Sequence, residues 1–293
     1  MTSGVFFAVI VSVLFAAYAI PRKYSKQNAV LYTIWVGIAY FTGSVAVCFV
    51  VCGFELREQE NLLSPWHLLT ALRSIVWVCG IVSFNIAIDK IGLTRFNQWK
   101  NFQGPIGTLL MLAFLDEIAG SKVIWLLLGM TAMFISAVLF TIKFDNGYKQ
   151  SNTSGILFSL FAAACFGVTA FINKIITSQG FIFSQLLYHS LFVVVSAAII
   201  FVIQKQPPLR LSRENWLPAI SGSMFLAATI LGIFSYTMIT GGVSWSITQL
   251  NAVWTILIGI FVFKEVRFKK HWLRITTGFV FTMAAIFFLL KAL

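Results

Sequence analysis

A stripe of polar and small side chains in the segment Thr94 to Glu117 is the feature of this sequence best suited to bind a solute. On a 3.6-residue helix these side chains share one face, while phenylalanine and leucine occupy the other. Pro105 lacks a backbone donor, which predicts a kink within the segment. An ammonium and several amides on one face can hydrogen-bond hydroxyls or a carboxylate. The members of the stripe are Asn97, Lys100, Asn101, Gly104, Gly107 and Thr108.

A second stripe lies near the end of the chain and becomes the counterpart of the first when Glu117 is aligned with Glu265. Its amides can bond sugar hydroxyls, and its tryptophans offer aromatic planes for sugar C–H faces. The alternative for both stripes is interhelical hydrogen bonding between closely packed helices. The candidate substrate-binding residues of the second stripe are Trp245, Thr248, Gln249, Asn251 and Trp254.

Further candidates are charged or titratable residues within apolar runs. Arg73 precedes Trp77 by one helical turn, a spacing that allows a cation–π contact in a substrate site, with an interfacial anchor as the alternative. Lys100 has an alternative too, because its long stem could carry the ammonium to the membrane surface. His189 is the candidate for proton coupling because histidine titrates near neutral pH, and an interfacial position is the alternative.

Composition places the chain among membrane proteins. Hydrophobic residues make up 59% of 293 and charged residues 10%, with a mean hydropathy of +0.90, whereas soluble domains carry about 25% charged residues. Ten apolar runs have the roughly 18–23 residues that cross about 30 Å of hydrocarbon. We therefore predict an all-α polytopic protein of the cell membrane with ten transmembrane helices. The sequence shows no metal-ligand cluster, phosphate-binding glycine loop or catalytic set, so we expect no cofactor, no metal and no enzymatic activity.

The net charge of +12 is compatible with nucleic acid binding, but its distribution favours a membrane protein and no nucleic acid partner. Basic residues concentrate in the connections that follow the odd-numbered runs. Cytoplasmic loops carry the excess of lysine and arginine, so both termini are predicted to lie outside. The predicted cytoplasmic side holds Arg22, Lys23, Lys26, Lys90, Arg95, Lys143, Lys149, Lys205, Arg210, Arg213, Lys264, Arg267, Lys269, Lys270 and Arg274, and the other side holds Arg57, Lys122, Lys174 and Lys291.

The second half of the sequence repeats the first. The segment from Ser154 aligns with the one from Ser3, and Phe15 coincides with Phe166 at an offset of 151. Five helices per repeat is an odd number, so the repeats must be inverted in the membrane, as in many secondary transporters. We expect one carrier domain over residues 1–293, with a first repeat at 1–143, a cytoplasmic linker at 144–154 and a second repeat at 155–293.

Ten helices as five plus five, with the fourth helix of each half ending in an acidic residue, resemble the drug/metabolite transporter superfamily. Two blocks are similar to its glucose/ribose porter branch, the bacterial sugar-uptake proteins: IGLTRFNQWKNFQGPIG from Ile91 and GGVSWSITQLNAVWTILIGIFVFKE from Gly241. The resemblance implies a carrier with a central cavity lined by helices of both halves. The first helix lacks the acidic residue of cation-exporting members, which disfavours antiport of that kind.

These features predict a secondary active transporter that moves a small polar solute, foremost a sugar or polyol, through the lipid bilayer by alternating access, with a proton or sodium as coupling ion. The alternative within this class is a transporter of amino acids or of quaternary amines such as choline. Outside it, the alternatives are a non-transporting scaffold and a membrane enzyme. An enzyme would need a cluster of acids, histidines or nucleophiles at one depth, which the sequence lacks.

Overall fold

The computed structural model describes residues 2–52, 62–115, 120–139, 153–206, 208–210, 212–263 and 268–292. These residues form α-helices joined by short connections, with a 3₁₀ turn at Arg213–Asn215, which confirms the predicted all-α class. Most of the predicted linker 144–154 lies outside the described residues, as do Glu117 and Glu265, on which the two stripes were aligned.

The α-helices are short only where the chain turns or a longer helix is interrupted. They are α1 (Thr2–Ala17), α2 (Ile20–Tyr24), α3 (Ala29–Cys52), α4 (Trp66–Ile91), α5 (Leu93–Lys100), α6 (Gln103–Phe114), α7 (Ser121–Leu139), α8 (Thr153–Ser178), α9 (Phe183–Ile203), α10 (Trp216–Met238), α11 (Gly241–Thr248), α12 (Asn251–Phe261) and α13 (Phe268–Lys291).

Seven helices in the described part of the chain are long and apolar enough to cross a membrane: α1 continued by α2, α3, α4, α8, α9, α10 and α13. Large apolar side chains cover their outer faces, among them Phe6 (61% exposed), Val50 (80%) and Leu68 (75%). So much exposed apolar surface suits contact with lipid rather than water. The chain is therefore a multi-pass membrane protein.

Helices of the two predicted repeats pack in a pattern that is preserved when the repeats are exchanged. In this exchange α1 corresponds to α8, α3 to α9 and α4 to α10. The packing of α1 on α10 is then equivalent to the packing of α8 on α4, and the packing of α3 on α10 is equivalent to the packing of α9 on α4. The contacts of α3 with α9, α6 with α11 and α7 with α13 each pair an element with its own counterpart. This symmetry supports the predicted repeat.

The pairs α5–α6 and α11–α12 are each interrupted, at equivalent positions of the two predicted repeats. Helix α5 ends at Lys100 and α6 begins at Gln103, and in the same way α11 ends at Thr248 and α12 begins at Asn251. Both ends of the break are offset by 148 residues, which is the offset obtained by aligning the two acidic helix ends.

A tightened turn forms each interruption. The Phe102 N–H donates to the Trp99 carbonyl at 3.3 Å, and the equivalent Leu250 N–H donates to the Ile247 carbonyl at 3.0 Å. Such bonds between residues three apart belong to 3₁₀ geometry and interrupt an α-helix. Pro105 lies in the first turn of α6, where its missing N–H is harmless, and its ring crowds the carbonyl four residues earlier, inside the break. The predicted kink is thus a break that precedes the proline, and the second break contains no proline.

Candidate substrate cavity

A cavity of about 80 Å³ lies between the two predicted repeats. Its walls come from α1, α4, α8, α10 and α11 and from the facing ends of α5 and α6. Besides tyrosines and tryptophans, the polar lining residues are Arg73, Lys100, Gln103, Thr169, Asn173, Thr229, Ser244 and Thr248.

Much of the wall is built from residues that are counterparts in the two repeats. Phe15 and Phe166, which match at an offset of 151, both line the cavity. The wall therefore repeats its positions, but not its charges, because both lining cations belong to the first repeat. The other pairs are Tyr18 with Thr169, Arg73 with Phe225, Trp77 with Thr229 and Lys100 with Thr248.

Lys100, the last residue of α5, lines the cavity with 4% of its surface exposed. Its ammonium donates to Oδ1 of Asn251 over 3.3 Å and so connects the two interruptions. The end of α5 suits a cation, because the last carbonyls of a helix carry partial negative charge. The ammonium therefore lies inside the protein and does not extend to the membrane surface.

Arg73 of α4 also lines the cavity and is 3% exposed. Its Nη1 lies 3.5 Å from Oε1 of Gln185, a long hydrogen bond to a neutral amide, and its Nε has no hydrogen-bond partner in the described part of the chain. Trp77 lines the same cavity, but its ring packs against Phe225 with centroids 4.4 Å apart. The predicted cation–π contact between Arg73 and Trp77 is not among the contacts of the described residues.

Amide side chains and an indole join the two interruptions. Gln103 Nε2 donates to Oε1 of Gln249 at 3.0 Å, and Trp245 Nε1 donates to the Gln103 carbonyl at 3.1 Å. Glycines permit this approach, since a Cβ on Gly104 would lie 2.8 Å from Cγ of Gln249 and one on Gly107 would lie 2.3 Å from Nε1 of Trp245. Part of the polar stripe therefore serves interhelical bonding, as in the alternative interpretation.

Half of the predicted substrate-binding residues line the cavity, and these residues are Arg73, Trp77, Lys100, Trp245 and Thr248. Four others have their contacts elsewhere. Asn101 and Gln249 line a second cavity of about 20 Å³. Asn251 accepts from the lysine ammonium, and Trp254 Nε1 donates to Oγ of Ser12 at 2.9 Å. The side chain of Asn97 lies outside the described part of the structure.

His189 of α9 is buried behind the cavity wall instead of lying at an interface. Its Nδ1 is 2.7 Å from Oγ of Ser74, and within the described residues its Nε2 has no hydrogen-bond partner. One turn earlier on the same helix, Gln185 approaches the guanidinium of Arg73. The imidazole therefore lies close to the side chains that hold the lining arginine.

Sequence reasoning missed the contribution of α8. Thr169 and Asn173 lie one turn apart on this helix, line the cavity, and have buried oxygens without hydrogen-bond partners among the described residues. The repeat contained a signal for them, because Thr169 is the counterpart of Tyr18, which follows Phe15 on the cavity face of α1. Asn173 continues the same face one turn later.

Comparison with known proteins supports this description. A known crystal structure, titled only "Crystal structure of protein", has a TM-score of 0.72 over 97% of this chain and 95% of its own, at 11% sequence identity, so the likeness concerns the fold alone. No curated protein sequence matches the chain. The family described as "Sugar transport protein" matches residues 44–291, in agreement with the resemblance to sugar-uptake proteins. Since this match covers most of the chain, the protein belongs to that family and is a membrane sugar transporter rather than an enzyme.

Proposed function

We propose that the protein is a secondary carrier that moves a sugar or polyol across the cell membrane through the cavity between its two repeats. The observation that carries this proposal is a cavity in which aromatic rings stand beside buried polar atoms without partners. Aromatic planes can pack on sugar C–H faces, and unsatisfied polar atoms can bond sugar hydroxyls. Membership in the sugar transport family supports the same class of substrate.

Alternating access is the proposed mechanism, and the internal repeat supports it. The seven long helices, α7, and the two interrupted helices counted as one crossing each would give ten crossings. The exchange-symmetric packing and the equivalent interruptions favour two inverted repeats of five helices. In carriers of this plan, one repeat rocks against the other around a central site where interrupted helices end.

The proposed topology has both termini outside and the linker 144–154 in the cytoplasm, supported by the distribution of lysine and arginine. His189 is the proposed group for proton coupling. Its bond to Ser74 and its position one turn from Gln185 would let a change in its charge act on the side chains around Arg73. Sodium is the alternative coupling ion.

A ligand screen followed by uptake into proteoliposomes tests the proposal. Ligand binding raises the unfolding free energy by RT ln(1 + [L]/Kd), so purified protein should gain thermal stability with sugars or polyols. Imposed proton and sodium gradients should then identify the coupling ion. Stabilisation by choline or amino acids, with none by sugars or polyols, would contradict the proposed substrate class.

A matched pair of variants on α8 links uptake to the cavity. Phe166 lines the cavity, whereas Phe161 is 52% exposed on the outer face of the same helix. Phe166→Leu keeps a large apolar side chain but removes the aromatic plane, so sugar affinity should fall several-fold. Phe161→Leu should leave affinity unchanged. Equal affinities in both variants would place sugar binding elsewhere.

A further inference from the structure

We infer that the transported sugar is an acid, whose carboxylate binds Arg73 in the cavity while its hydroxyls bind α8. This inference rests on the proposed function and narrows the substrate from sugars in general to hydroxylated monocarboxylates, the class to which uronic and aldonic acids belong. It depends on the charge of the cavity, on the unsatisfied atoms of its wall and on the difference between the two repeats.

The cavity is positively charged. Its described lining includes two cations and no acidic residue. The described acids of the chain lie elsewhere, since Asp89 pairs with Arg22 and Glu214 is exposed. Burying a cation without a counterion costs free energy. An anionic solute would relieve this cost by pairing with the cation, whereas a neutral solute would not, so the anion should bind more tightly.

The two lining cations differ in how well the protein compensates them. Lys100 lies at a helix C-terminus and donates to Asn251, both of which offset its charge. Arg73 has neither advantage, because it lies within α4 and reaches only the neutral Gln185 over 3.5 Å. Its Nε donor is unsatisfied. Arg73 is therefore the cation that most needs an anionic partner.

Among the described residues, helix α8 offers acceptor oxygens that lack a donor, whereas Arg73 offers donors that lack an anionic acceptor. Asn173 Oδ1 and Thr169 Oγ1 are buried, line the cavity and have no hydrogen-bond partner in the described structure. A fully deprotonated inorganic anion such as sulfate brings no donor for these oxygens, and a neutral sugar brings no charge for Arg73. A sugar acid brings both, with its hydroxyls as donors and its carboxylate as a planar acceptor that a guanidinium binds through two parallel bonds.

Packing alone does not explain the arginine. The repeat counterpart of Arg73 is Phe225, which lines the same cavity with an apolar ring. The fold therefore builds this position of the wall without a charge in the second repeat. We therefore assign the guanidinium of the first repeat to binding of the solute and not to packing of the wall.

Thermal shift measurements at constant ionic strength can test this inference with D-glucuronate, D-glucose and D-glucose 6-phosphate. Charge-assisted hydrogen bonds to the carboxylate should make wild-type protein bind glucuronate roughly 10- to 150-fold more tightly than glucose. Arg73→Gln should remove this preference and change glucose affinity by less than about threefold. Arg274→Gln, which removes an exposed guanidinium outside the cavity, should keep it.

The outcomes separate this inference from the proposed function. Binding of glucose without preference for glucuronate would overturn the inference and leave the sugar carrier standing. No binding of any of the three probes would count against both. Tighter binding of the phosphate ester than of glucuronate would overturn the choice of a carboxylate, and equal glucuronate binding by wild type and Arg73→Gln would overturn the role of the arginine. The wild-type comparison needs no variant, so it remains decisive even if Arg73→Gln does not fold.

Discussion

Replacing Lys100 by methionine tests whether the interrupted helices hold a substrate-binding group. Methionine keeps most of the stem and removes the ammonium. Two consequences follow from the contacts of this residue, one for stability and one for binding. They have opposite signs, which makes the substitution informative.

The stability of Lys100→Met should not fall. The ammonium is almost fully buried and has a neutral partner at 3.3 Å, so its removal relieves a desolvation cost of several kcal/mol. The loss leaves Oδ1 of Asn251 without its donor, which costs about 1–3 kcal/mol. The first effect equals or exceeds the second, so the unfolding temperature should match or exceed that of wild type.

Substrate affinity, in contrast, should fall. A hydrogen bond from a charged group to a solute hydroxyl or carboxylate contributes about 1.5–3 kcal/mol, which corresponds to roughly 10- to 150-fold in affinity. Binding and uptake are measured at equal amounts of reconstituted protein. Lys269→Met, which removes an exposed ammonium at the start of α13, is the matched control. Wild-type affinity in Lys100→Met would refute a contact between this lysine and the solute.

Three further predictions concern packing, ion pairing and topology. Gly107→Ala should lower the unfolding temperature and uptake, because the new Cβ would lie 2.3 Å from an indole nitrogen, whereas Gly232→Ala, whose Cβ would meet open space, should raise the unfolding free energy by roughly 0.5–1 kcal/mol in thermal melts. Asp89→Asn should lower that free energy by about 1–2 kcal/mol in the same melts, because it leaves the buried guanidinium of Arg22 without its carboxylate. The loss is smaller than for a fully buried pair, since Asp89 is half exposed and water weakens the attraction. Thr153→Cys in a cysteine-free background should resist an impermeant thiol reagent in intact cells, and labelling from outside would contradict a cytoplasmic start of α8.

The sequence predicted the class of the fold well because a bilayer imposes simple requirements. Apolar runs of sufficient length identify helices, and charged loops identify their connections. A repeat could be predicted because the two halves keep their matches at nearly constant offsets, as with Phe15 and Phe166. The tightened turns were harder to predict. Pro105 signals the first, but Val253 stands at the equivalent position of the second, where no residue of special geometry marks the break.

The same turns explain which site residues could be predicted. Lys100 and Thr248 are the last residues before the breaks, so helical periodicity placed them on the correct face. Asn101 and Gln249 follow immediately and line a different cavity, because one further residue turns the side chain by about 100–120° around the helix axis. The orphaned oxygen of Asn173 could not be inferred, because it depends on which neighbouring helix happens to offer no donor.

The proposed mechanism needs both the symmetry and the asymmetry of the cavity wall. A carrier that rocks between two states works best when the states have similar free energies, and two repeats with equivalent contacts supply that balance. Binding needs specific groups, which equivalent positions provide only when the repeats differ. Arg73 stands opposite its counterpart Phe225 in the alignment, and Lys100 opposite Thr248, so both lining cations lie in the first predicted repeat while both repeats contribute to the wall. Substitutions at Phe15 and Phe166, the paired aromatic positions, should therefore affect the cavity as a whole, whereas substitutions at the two cations should affect the choice of solute.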